Sequence, residues 1–236
     1  RQLVAQEGYL IAPHQALRTQ QHHQQEHQGI DNKPPRLEAL RQVEPKEALE
    51  VFESFAARRP KHELAGSVRY YTARCLYRSG DRDAAIEDAR EYIAEHPDGE
   101  LAARARIIVI RCLADAGKRQ EAKQLFDRMA EQKDAAPDDL YELAWAGRKC
   151  KMNAEARAAY RALIEAHPDH ALSFRARVEL ADLLYKAGQF KEAAALSAAV
   201  AENDEAPADL RASSSYRAAW CRVKLDDHGG AADTFT

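Results

Sequence analysis

Aromatic residues make up only 7% of this 236-residue chain, and glycine and proline number just 10 and 9. With few rings available a core has to be built from small side chains, and so few turn formers exclude a collagen-like or Pro/Gly-rich disordered chain. No apolar run reaches the roughly 18 residues that a membrane helix needs, and the basic, apolar and small-residue order of a secretory signal is missing at Arg1. Nor does one sign of charge dominate: 35 Lys and Arg stand against 38 Asp and Glu, a net of −3. The chain as a whole is therefore not biased towards nucleic acid or a lipid surface, and any strong field must be local. There is no Gly-x-Ser-x-Gly, no glycine-rich phosphate loop, and no Cys paired with His near a strand-to-helix turn. Neither enzymatic activity nor a cofactor is expected.

Alanine is plentiful, at 47 positions, all but three of them after residue 35. That is the composition of helices. The sequence also copies itself: residues 96–106 read HPDGELAARAR and residues 167–177 read HPDHALSFRAR, an offset of 71. Intermediate copies sit at about half that interval, pairing Gly80 with Ala85, Gly117 with Ala122, Lys151 with Ala156, Gly188 with Ala193 and Asp226 with Ala231. Each copy holds two stretches with apolar or small residues three and four apart, joined by a short polar turn, which predicts a helical hairpin. If the glycine is numbered 15 within a unit, position 8 holds Ala73, Ile110, Ala144, Ala181 and Ala219, and position 20 is alanine in all five. A methyl group there lets two helices approach closely. Pro97 and Pro168 end the second helix where the chain must turn.

This pattern resembles the tetratricopeptide repeat, which has small residues at positions 8 and 20, a large one at 24, Gly near 15 and Pro at 32. Phe126, Tyr160 and Phe235 fill position 24 as the family would have it, whereas Ala89 and Ser197 do not. The aromatic usual at position 4 is replaced by Arg69, Arg106, Leu140, Arg177 and Ser215. The resemblance covers about residues 45–236 and implies an all-α, right-handed solenoid of stacked hairpins. Residues 66–236 read as about five repeats, the last truncated within its second helix, so that further repeats are expected to follow in the parent protein. Residues 36–65 read as an atypical N-terminal capping half-repeat, with Ala48 at position 20, Phe52 at 24 and Pro60 at 32. Residues 1–35 form a Gln/His-rich leader, either partly helical or mobile, that starts without Met as a processed or excised piece would.

Cys75, Cys112 and Cys221 share position 10, about one repeat apart or more, and with Cys150 they read as reduced packing residues rather than disulfide or zinc ligands. His23 and His27 are four apart but lack a third ligand, so no metal site is expected. His96 and His167 precede equivalent prolines, and their duplication points to a role at the turn.

The informative pattern lies on the first helix of each unit, where positions 2, 5, 9, 12 and 13 share one face. The resemblance implies that this face lines the concave groove in which such arrays bind peptides. It carries Tyr70, Arg74, Tyr77 and Arg78 in unit one, Arg104 and Arg111 in unit two, and Tyr141, Trp145, Arg148 and Lys149 in unit three. Unit four adds Arg175, Tyr185 and Lys186, and unit five Tyr216, Trp220 and Lys224. With Asp115, Asp138 and Asp182 as its only acids, the face is net +6 while the rest of the chain sums to −9. Seven of the seventeen aromatic residues, both tryptophans among them, lie on it. Rings beside guanidinium groups supply contact area, stacking and carboxylate capture. The plainer alternative is that the rings fill gaps between alanine-rich helices and the cations solvate the surface. The matching places of Trp145 and Trp220 favour the groove.

The expected function is a protein-binding scaffold whose basic, aromatic face holds an acidic or amphipathic partner segment. One arrangement in the family clamps a terminal carboxylate with Lys, Asn and Arg, but position 6 holds no Asn here, so that specificity is not carried over. One alternative is an array that associates with copies of itself. Another is single-stranded nucleic-acid binding, which the irregular groove residues disfavour. The HPD linkage and the long repeat steps are similar to those of bacterial cell-envelope tetratricopeptide proteins, which tilts the expected location towards the periplasm or envelope.

Overall fold

The computed structural model describes residues 44–132 and 134–235, with side chains through Ala232. All of these belong to the second of two units into which the chain divides, residues 37–236. The leader, with His23 and His27, lies outside the described residues, as does the side chain of Phe235.

Eleven helices and no strand are found among the described residues. Helix α1 (Pro45–Arg58) precedes five hairpins: α2 (Ala65–Ser79) with α3 (Arg82–Glu95), α4 (Ala102–Asp115) with α5 (Arg119–Ala130), α6 (Pro137–Lys149) with α7 (Asn153–Ala166), α8 (Ala171–Lys186) with α9 (Phe190–Ala201), and α10 (Ala208–Lys224) with α11 (His228–Phe235). Each helix packs on the next along the chain, which makes a continuous α-solenoid.

The turn inside every hairpin is the same. The five residues numbered 15, Gly80, Gly117, Lys151, Gly188 and Asp226, all have positive φ, between 58° and 99°. At each, the next residue's N–H donates back to the carbonyl five residues earlier, as from Asp81 to Leu76 at 3.0 Å and from Met152 to Gly147 at 2.8 Å. This left-handed step satisfies the carbonyls left over at the helix end and reverses the chain.

Packing follows the unit numbering. At position 20, Ala85, Ala122, Ala156, Ala193 and Ala231 are all buried, as are the five residues at position 8. In α1, Ala48 and Phe52 are buried in the manner of a second helix and pack with Val68 and Cys75 of α2. Three residues beyond position 24, Tyr92, Met129, Leu163 and Val200 are all buried, whether position 24 is small, as at Ala89 and Ser197, or large, as at Phe126 and Tyr160.

The repeated His-Pro-Asp turns are held by residues that replace the family's aromatic. Arg106 donates to the Pro97 carbonyl at 2.8 Å and Arg177 to the Pro168 carbonyl at 3.4 Å, each across nine residues. The histidines cap α3 and α7. His96 lies over Gly66 near the start of α2, and His167 donates from Nε2 to the Ala135 carbonyl, 2.9 Å away, just before α6. Each therefore closes its own repeat.

Candidate interaction face

Successive first helices, α2, α4, α6, α8 and α10, touch at every step, whereas among the second helices of successive hairpins only α5 and α7 do so to a comparable degree. The first helices thus form the more continuously packed side, and the face they share runs the length of the array.

Its centre is a stack of rings and cations drawn from three repeats. The Arg111 guanidinium of α4 lies 4.5 Å from the ring centre of Tyr77 in the preceding repeat and 5.6 Å from that of Trp145 in the following one. Lys149 stands 5.0 Å over the same indole, and Arg82 lies 5.3 Å from the Tyr77 ring. The Arg111 Nε is sealed from solvent with no acceptor. Burial pushes the Tyr77 hydroxyl above its ordinary pKa, and the Arg111 charge pulls part of that back. Arg74 lies 5.7 Å over Tyr71, while Arg78 and Arg104 are exposed. Tyr70 is 5% exposed and packs against Tyr71 and Tyr92, so it supports the face from within rather than presenting a surface. Tyr141 is half-buried, edge-on to the buried Tyr160.

The far half of the face is different. Asp182 of α8 accepts from Lys186 at 2.6 Å and from Arg217 at 2.9 Å, and it stands 4.0 Å from Arg148. Arg148 also pairs with Glu179. Three cations are thus matched by two carboxylates. Tyr185 is half-buried between Phe190 and Arg217, whose guanidinium is 4.7 Å from its ring centre. Beyond it, Tyr216 and Trp220 meet edge to face on α10 and are 58% and 38% exposed. Trp145 and Trp220 hold equivalent places, yet the first is covered by two cations and the second meets only the Tyr216 ring among the ring and cation contacts described. Arg175, Lys186 and Lys224 are exposed.

Reading five positions per unit misses Glu179 and Arg217, both at position 6, and Arg82. Their signal in the sequence is a charged pair about one repeat apart: 31 residues for Arg148 and Glu179, 33 for Arg82 and Asp115, and 35 for Asp182 and Arg217.

The four cysteines are free, and burial raises the pKa of each, that of Cys112 to about 11. Among the described residues no cluster of three or more His, Cys, Asp or Glu could hold a metal ion. None of the helices described is long and apolar enough to cross a membrane.

A family model described as tetratricopeptide repeat matches residues 37–100, 77–139 and 151–209. No curated protein matches the chain. Similar solved structures include BtubC (BKLC) from P. vanneervenii, 16% identical with a TM-score of 0.54 over 85% of this chain and 89% of that one. Another is a putative kinesin light chain from Podosopora anserina with nearly identical TPR-like repeats, 18% identical with a TM-score of 0.51 over 74% and 93%. A third is a tetratricopeptide repeat protein from Parabacteroides merdae, 12% identical with a TM-score of 0.50 over 80% and 70%. At such identities the likeness is one of fold.

Proposed function

The chain belongs to the tetratricopeptide repeat family, whose repeats imply a protein-binding scaffold, and from that premise we propose that its first-helix face captures an acidic segment of a partner protein. The observation that carries this reading is the uneven balance of charge along the face. Arg74, Arg104, Arg111 and Lys149, in the first three repeats, form no ion pair among the described residues, whereas Arg148, Lys186 and Arg217 share Glu179 and Asp182, which leaves Arg175 and Lys224 as the cations without an ion pair on the far half of the face. Cations that lack a carboxylate partner steer and hold carboxylates. The rings of Tyr77 and Trp145 add contact area beside them, and the exposed Tyr216 and Trp220 supply an apolar anchor at the other end.

Selection of random peptides on the immobilised protein tests this. Acid-rich peptides should be enriched, and they should bind the Trp145→Ala/Lys149→Glu variant about tenfold more weakly while its helicity by circular dichroism is unchanged. Failure to enrich any peptide, or equal binding by the variant, would remove the groove reading. A molecular mass that rises with protein concentration and ignores both substitutions would instead favour self-association.

A further inference from the structure

Resting on that reading, we infer that Arg111 is the seat of one partner carboxylate, supplied by an Asp or Glu side chain. Its guanidinium is planar and lies between two rings, Tyr77 on one side and Trp145 on the other. Its Nε–H is sealed from solvent, which leaves the Nη–H groups, set near the Tyr77 hydroxyl, as the place where a carboxylate binds. The group is already held in place by its neighbours, so little side-chain freedom is left to lose on binding.

Its charge also lacks compensation. Asp115, one turn further along α4, is engaged by Arg82 at 3.0 Å, and Arg111 itself makes no ion pair among the described residues. The Nε has been taken out of water without receiving an acceptor. A partly desolvated, unmatched cation attracts an anion more strongly than a hydrated one. Lys149, on the Trp145 ring, extends the same field.

The surroundings select an acidic peptide over a polynucleotide. Single-stranded nucleic acid needs open ring faces for its bases and a continuous cationic track for its backbone. Here the rings of Tyr77 and Trp145 are engaged by Arg111, Arg82 and Lys149, and the track between them and the exposed Tyr216 and Trp220 is interrupted at Glu179 and Asp182. Cations spread over three repeats, without an Asn at position 6, also suit several side-chain carboxylates better than one chain terminus.

The test uses a Trp220→Phe background, in which Trp145 is the only indole. Acetylated and amidated hexaglutamate should change Trp145 fluorescence on titration. Arg111→Gln should weaken that binding about tenfold or more, Arg111→Lys should fall between, and Arg74→Gln should cost no more than about threefold. In the unsubstituted protein the Arg111 Nε–H resonance should shift on addition of the same peptide, a readout that does not depend on how a variant folds. Unchanged hexaglutamate affinity in Arg111→Gln, or an Nε–H resonance that stays in place, would overturn the assignment of this residue. If library-selected peptides still bound the face in that event, the broader reading would stand without it. Equal affinity for hexaglutamine with a free carboxyl terminus, or for a six-residue thymidine oligonucleotide, would overturn the side-chain carboxylate.

Discussion

At Ala122 and Ala193 the side chain ends at its β-carbon because the partner helix leaves room for nothing more; both are fully buried. Replacing either with Leu would force the hairpin apart, and a loss of about 1–3 kcal/mol is expected, read as a lower urea midpoint with unchanged slope. Unaltered stability would mean that the repeat register is wrong. Titratable residues predict a second behaviour. Burial raises the thiol of Cys112 from 9.0 to about 11 and moves Cys75, Cys221, Tyr70 and Tyr160 the same way. Each of these groups holds its proton more tightly folded than unfolded; the contribution of Cys112 is whole below pH 9 and is lost as pH rises from 9.0 through about 11, and each of the others begins to be lost only above its own ordinary value. Urea midpoints measured across pH 7–11 should be level at first and then decline, with a shallower decline in Cys112→Ala. A level profile to pH 11 would contradict the assigned burial.

Among the elements, the turns differ in how well their residues suit them. Gly80, Gly117 and Gly188 occupy the left-handed region without steric cost, but Lys151 and Asp226 occupy it at φ 58° and 62° with a β-carbon in place. Lys151→Gly should therefore stabilise the chain by about 0.5–1 kcal/mol, and Gly117→Ala should destabilise it by about 1 kcal/mol, both read from thermal unfolding. An equal response at the two sites would argue against a shared geometry. The same turns explain why the fold was legible beforehand: a glycine followed five residues later by alanine is a local pattern, and Lys151 and Asp226 could be placed from Ala156 and Ala231 alone. What the sequence did not disclose lies between repeats. The use of Arg106 and Arg177 to hold the His-Pro-Asp turns depends on which groups meet across a helix pair. The candidate face was legible as a list of residues but not as a balance of charge, because Glu179 and Arg217 reach it from a position that the five-place pattern leaves out.

Across the whole array, that balance makes Asp182 the residue that divides the face. Its carboxylate, with 18% of its side chain exposed, gathers Lys186 and Arg217 and lies within 4.0 Å of Arg148, so the cationic field of the first three repeats is interrupted on α8. Asp182→Asn removes the charge and keeps the shape. Arg148 retains Glu179, while Lys186 and Arg217 lose their carboxylate, and because these partners are partly exposed the loss of stability should be about 1 kcal/mol. The field should then continue from Arg111 to the exposed Tyr216–Trp220 pair. Affinity for an acidic peptide should rise several-fold at low salt, and the gain should shrink as added salt screens the exposed charges. Titration of hexaglutamate at two ionic strengths into wild type and Asp182→Asn measures both effects. If the two proteins bind alike at low salt, the carboxylate is not what limits the face, and its role in dividing the array would have to be abandoned.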